Sequence, residues 1–79
     1  MATLLLFGPA RSAAGEHAVT IDAATVSELC EAACRRFGPE FEKVLRASAL
    51  WVNGEPVSGD PAVDVGDEVA VVPPVSGGA

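Results

Sequence analysis

The chain opens on a short apolar run, residues 3–7 (TLLLF), closed by Gly8-Pro9. Its length and its lack of polar alternation predict a strand buried on both faces and central in its sheet, not a helix. A loop of small and polar residues follows, and residues 17–21 (HAVTI) read as a second strand, between Gly15 and Asp22, able to pair with the first as a hairpin. The period then changes. Thr25-Val26-Ser27-Glu28 matches a capping box, in which the threonine hydroxyl and the glutamate carboxylate satisfy backbone donors at a helix start. Val26, Leu29, Cys30, Ala33, Cys34 and Phe37 recur at helical spacing, with Glu31 and Arg35 four apart on the outer face. Gly38-Pro39 is expected to end this helix through a left-handed cap. A second, shorter amphipathic helix over residues 40–47 turns Phe41, Val44 and Leu45 inward.

The C-terminal half returns to strand patterning. Residues 49–52 (ALWV), Asn53-Gly54 and residues 55–57 (EPV) form a predicted hairpin, because Asn-Gly accepts positive φ at both turn positions. Pro56 puts the return strand at an edge. Residues 58–67 are rich in Gly, Asp and Pro and read as a loop with room for one extended piece. Residues 69–72 (VAVV) are the last strand, stopped by Pro73-Pro74, and residues 75–79 (VSGGA) have nothing to bury and read as a flexible tail. The order β-β-α-β-β with one main helix predicts an α+β domain, a mixed sheet covered on one face. Leu4 and Leu6 alternate with Leu5 and Phe7, and Val69 and Val71 with Ala70 and Val72. One helix covers one face, so the second set is either an uncovered apolar patch suited to a partner or is roofed by the short helix or a loop.

Seventy-nine residues set the expectation of a single domain with one small core, for which a partner is one source of added stability. Cys30 and Cys34 are too few for a disulfide framework and lack metal-site or C-x-x-C spacing, so they read as small packing residues with free thiols. Eleven acidic residues against five basic ones give a net charge of -6. That field repels phosphate backbones and anionic membranes, which argues against nucleic acid and membrane partners and for a partner with a basic face. The apolar opening ATLLLF has no basic flank and is shorter than a signal-peptide core or a membrane span, so the expected location is cytoplasmic.

Residues 66–78 (GDEVAVVPPVSGG) closely resemble the C-terminal signature of the small, sulfur-carrying subunit of molybdopterin synthase. Residues 4–15 (LLLFGPARSAAG) resemble that family's first strand and its arginine-bearing loop, here with Arg11, and residues 51–57 (WVNGEPV) resemble its hairpin, a feature shared with thiamine-pathway carriers. The resemblance implies a ubiquitin-like β-grasp fold of four to five strands over residues 1–74, first and last strands side by side at its centre, and a Gly-Gly tail over residues 75–79. It also implies the chemistry: a ubiquitin-activating-like adenylyltransferase uses ATP to make an acyl-adenylate on Gly78, sulfur displaces AMP to give a thiocarboxylate, and a large catalytic subunit receives the sulfur for a pterin precursor. On this reading the chain binds no cofactor and is not catalytic alone.

The tail suits that chemistry on physical grounds. Gly77 and Gly78, lacking a Cβ, let the backbone enter a channel too narrow for side chains. Pro73-Pro74 aims the tail in extended form, and at roughly 3.3 Å per residue the stretch from Val75 reaches into a neighbouring active site. The terminal carboxyl is ionised at neutral pH and is a competent nucleophile toward the α-phosphate of ATP once an enzyme positions both. Ala79 departs from the family pattern, which ends at the second glycine. A protease that removes it, a residue left by cloning, or a blocked variant each explains it. Candidate site residues are therefore Gly78 and Gly77 for chemistry, and Phe7, Arg11, Val72, Pro73, Pro74 and Val75 for partner binding.

Blander readings stand beside these. A terminal Gly-Gly alone is usually a frayed end and gains meaning here from DEVAVVPPVS before it. His17, the sole histidine, begins a strand with no nucleophile for company and reads as a surface residue. Asp60, Asp64, Asp67 and Glu68 lack the EF-hand spacing and read as a solvated acidic loop. Two alternatives to the molybdopterin role remain: sulfur delivery to thiamine or cysteine synthesis, and a β-grasp interaction module or protein modifier without sulfur chemistry.

Overall fold

The N-terminal run forms β1 (Ala2–Leu6) of a computed structural model that describes residues 1–73. The strand ends one residue before the apolar run does. Phe7 still donates its N–H to the carbonyl of Val71 at 3.2 Å, and Gly8, with φ 57° and ψ -130°, then turns the chain out of the sheet. β2 (Ala18–Ile21) pairs antiparallel with β1, Leu5 opposite Ala18, as the hairpin reading requires. The connection between them is not a plain loop. It holds a helix, α1 (Pro9–Ala14), with Pro9 in its first turn and Gly15 closing it by a 2.8 Å bond from its N–H to the carbonyl of Arg11. Six residues are too few to show a helical period, and the proline-first, glycine-last punctuation was the available signal.

α2 (Val26–Phe37) starts where the capping box places it. The N–H of Glu28 donates to Thr25 Oγ1 at 3.2 Å, while the Glu28 carboxylate accepts from Ala24, one residue ahead of the cap. Two more donors are satisfied from far along the chain: Val26 N–H by the carbonyl of Pro61, and Ser27 N–H by Asp60 Oδ1 at 2.8 Å. Asp60 is thus a helix cap and not merely a solvated acid. Gly38 has positive φ but an extended ψ (97°, -175°), so it is not the left-handed cap expected; it ends α2 by donating to Cys34 and begins α3 (Pro39–Ala47) by accepting from Glu42.

β3 (Ala49–Val52) and the two-residue β4 (Glu55–Pro56) flank Asn53 and Gly54, whose φ values of 50° and 86° are both positive. β5 (Glu68–Val72) is last. Residues 58–67 contribute one isolated bridge, Thr25 to Ala62, and bury Val63. Asp67 accepts from Asn53 Nδ2 and from the N–H of Asp64, holding the hairpin to the start of β5.

The sheet order is β2-β1-β5-β3-β4, with β1 and β5 parallel at the centre and β4 at an edge. Leu4, Leu6, Val69 and Val71 project into the core with Leu29, Ala33 and Phe41, the largest fully buried side chain. α3 packs against both α1 and α2, so all three helices lie on this one side. The mixed five-stranded sheet is a ubiquitin-like β-grasp.

Candidate functional site

The site is the bare face of the sheet together with the end of β5, where the chain leaves it. Side chains at paired positions point the same way. Leu5 pairs with Ala18 and Ala70, Ala70 with Trp51, and Trp51 with Pro56, which makes one continuous apolar row across all five strands. Ala49 opposite Val72 begins the next row, beside Phe7. Among the described residues no helix covers these positions. Phe7 is 46% exposed and Trp51 37%, while Leu5, Ala70 and Val72 are half-buried by their neighbours. Among the described residues neither the short helix nor a loop roofs these positions, so this face of the sheet is uncovered.

Of the predicted partner-binding residues, Phe7, Val72 and Pro73 come together at one end of the parallel pair β1 and β5. Arg11 is exposed on α1, four residues past Phe7, and among the described residues it forms no ion pair. Pro74, Val75, Gly77 and Gly78 lie outside the described residues. Trp51 and Gly8 were not singled out from the sequence. Trp51 was legible as the outward member of the alternating ALWV strand. Gly8 carried only the signal of a Gly-Pro break, which gives no hint that Pro73 lies against it.

The cysteines sit on the opposite, helical side. Cys30 and Cys34 are half-buried against the core and line a crevice of about 380 Å³ between α2 and α3, with Glu31, Arg35, Glu42, Leu45 and Arg46. Burial, with smaller contributions from Cys34 and Asp60, pushes the Cys30 thiol up to about 11; burial, then Glu42, raises Cys34. Both are protonated thiols at neutral pH and poor nucleophiles, and neither lies on the sheet face that Val72 and Phe7 share. His17 is exposed, and its backbone carbonyl accepts from Leu6.

Residues 4–78 match the sequence profile of the ThiS family. The chain belongs to the ThiS family. This ThiS-family chain is similar to the crystal structure of SAMP1 from Haloferax volcanii, at 31% identity and a TM-score of 0.82 over 98% of each chain. It is likewise similar to the crystal structure of the Haloferax volcanii small archaeal modifier protein 1, at 27% identity and a TM-score of 0.82 over 94% of this chain and 97% of that one. At 24% identity, and a TM-score of 0.72 over 98% of this chain and 97% of that one, it shares its fold with a chain in the complex of subunits 1 and 2 of molybdopterin-converting factor from Helicobacter pylori 26695. Its fold is that of ubiquitin-like sulfur carriers and modifiers.

Proposed function

We propose that this chain is a sulfur carrier for molybdopterin synthesis, acting as the small subunit of molybdopterin synthase with Gly78 as the atom-transferring terminus. The observation that carries the reading is the alignment of three features at one end of the sheet. The central strand β5 ends at Val72-Pro73, the bare apolar patch with Phe7 lies beside that point, and the sequence continues as PVSGG. A patch of this kind docks a partner while the residues that follow reach past it.

The chemistry then needs no residue of the folded domain. After a protease removes Ala79, the Gly78 carboxylate attacks the α-phosphate of ATP in the adenylating partner, releasing pyrophosphate and leaving an acyl-adenylate. Sulfide-level sulfur (HS⁻) attacks the acyl carbon, the acyl–oxygen bond to AMP breaks, AMP departs, and Gly78 carries a thiocarboxylate. The large subunit then binds the same patch, and the sulfur passes to a pterin precursor. The shared fold with a subunit of the Helicobacter pylori molybdopterin-converting factor complex supports a large-subunit partner. Glycine at positions 77 and 78 suits the terminus to narrow active-site channels.

The experiment is reconstitution. The thiocarboxylated chain ending at Gly78, mixed with the large subunit and the pterin precursor, is expected to form molybdopterin, with loss of the thiocarboxylate as product appears. Retention of the thiocarboxylate with the large subunit, but its consumption by a thiamine- or cysteine-forming enzyme, assigns the carrier to that pathway instead. The 31% identity to SAMP1 supports a second reading, a protein modifier. An isopeptide bond between Gly78 and a lysine of another protein is its signature.

A further inference from the structure

We propose that Gly8 is a positioning residue: its bare α-carbon is the seat for the Pro73 ring, and that seat fixes the direction in which the residues after β5 leave the domain. The inference rests on the carrier reading above and adds to it a residue that touches neither substrate nor the reacting carboxyl.

Six described glycines have positive φ: Gly8, Gly15, Gly38, Gly54, Gly59 and Gly66. At five of them a Cβ would meet nothing within 4 Å. At Gly8 a Cβ would lie 3.3 Å from Pro73 Cγ, 3.6 Å from Cδ and 3.7 Å from Cβ, so three ring carbons face that hydrogen and Cγ is tighter than ordinary contact. The backbone around it is held from both sides. Phe7 N–H is bonded to Val71, two residues before Pro73, and the Gly8 carbonyl accepts from Ser12 in α1 at 3.1 Å. An added methyl needs a few tenths of an ångström of room, and the bonds on both sides of Gly8 oppose finding it by a shift of the Gly8 backbone. Pro73 would have to move instead. Proline fixes its own φ and holds Val72 extended, so a displaced ring redirects everything C-terminal to it. On the carrier reading a partner holds the domain through the patch, and the contact at Pro73 sets the direction from which the residues after it start.

Two readouts test the seat. In the full chain, NMR is expected to show cross-peaks between the Gly8 α-protons and the Pro73 ring protons, and their absence overturns the contact and the inference. The second readout is adenylation of the form ending at Gly78, which retains every described residue, by the cell's own adenylyltransferase in ATP–pyrophosphate exchange. Gly8→Ala is expected to lower kcat about threefold or more with KM nearly unchanged, since the ring gives by a few tenths of an ångström where misplacement by about 1 Å can cost a hundredfold, and the apolar patch stays intact. Pro73→Ala removes Cγ and Cδ, so the double variant Gly8→Ala/Pro73→Ala is expected to lose clearly less than the product of the two single losses.

An L-residue at this φ and ψ is also strained, and that effect is separable. D-alanine at position 8, introduced by chemical synthesis, adopts the backbone as an ordinary extended residue and places its methyl on the other hydrogen. It is expected to keep the wild-type kcat. Loss in Gly8→Ala that follows the unfolded fraction, appears in KM, or is untouched by Pro73→Ala overturns the positioning role. A wild-type chain activated normally alongside an equally active Gly8→Ala overturns this inference alone. A wild-type chain that no such enzyme adenylates overturns the carrier reading and this inference with it.

Discussion

Phe7 lies one position beyond β1, and nearly half of its surface faces solvent. Removing a ring so placed disturbs packing far less than truncating a buried phenylalanine, which typically costs about 3 kcal/mol or more. Aromatic anchors at the centre of an interface commonly cost at least about 2 kcal/mol when truncated. Phe7→Ala is therefore expected to weaken binding to the large subunit by roughly thirtyfold or more with little change in thermal unfolding, both measured on the same preparation. A strongly destabilised variant with unchanged affinity per folded molecule contradicts the docking patch. The cysteines give a second residue-scale expectation. Cys30→Ala/Cys34→Ala should lose about 1 kcal/mol per site from packing and still transfer sulfur once folded. The Cys30 thiol is raised from 9.0 to about 11, first by burial and then by Cys34 and Asp60. A raised folded-state pKa gives stability that is complete below the unfolded value and is lost as pH climbs toward the folded one. Stability should thus decline between about pH 9 and pH 11, and Cys30→Ala should flatten that decline in urea titrations. The inward stripe of α2 made the side of the cysteines readable from sequence. Their incomplete burial was not readable, because it depends on how far α3 stands from α2.

At the scale of elements, α2 shows which local signals sufficed. Its start, its apolar stripe and its end at Gly38 all follow from short-range chemistry, and all three are present. The hairpin over Asn53-Gly54 is legible for the same reason, since its two positive φ values belong to the turn itself. Signals that cross the chain were silent. Asp60 is 33 residues from the backbone N–H it accepts from, and nothing in GDPAVD indicates that partner. Asp60→Ala is expected to destabilise by about 1 kcal/mol, the usual loss for a helix cap, in chemical unfolding, and to leave partner affinity unchanged. No loss of stability would return Asp60 to the role of a solvated acid. The helix over Pro9–Ala14 escaped because a single turn and a half has no period to detect; its alanines become inward-facing only once α3 packs against them.

At the scale of the whole molecule, packing and exposed apolar surface are separated in space. Helices and core occupy one side of the sheet, the uncovered apolar face the other, and the chain leaves from the end of the central parallel pair. Every charged residue after Trp51 is acidic, and Asp64, Asp67 and Glu68 cluster at the start of β5, the end opposite Pro73. A partner that meets this pole with a basic surface orients the domain without crowding the exit, and such steering weakens as salt screens it. The core set of alternating residues was enough to place both faces, whereas the Gly8–Pro73 contact needs the parallel pairing of two strands more than sixty residues apart. The central claim is that the chain carries sulfur on Gly78. Intact-mass and tandem mass spectrometry of the protein isolated from its own cells tests it most directly. The expected species lacks Ala79 and has one oxygen of the Gly78 carboxyl replaced by sulfur; a population consisting only of full-length, all-oxygen chain, in cells that are making molybdopterin, would rule sulfur carriage out.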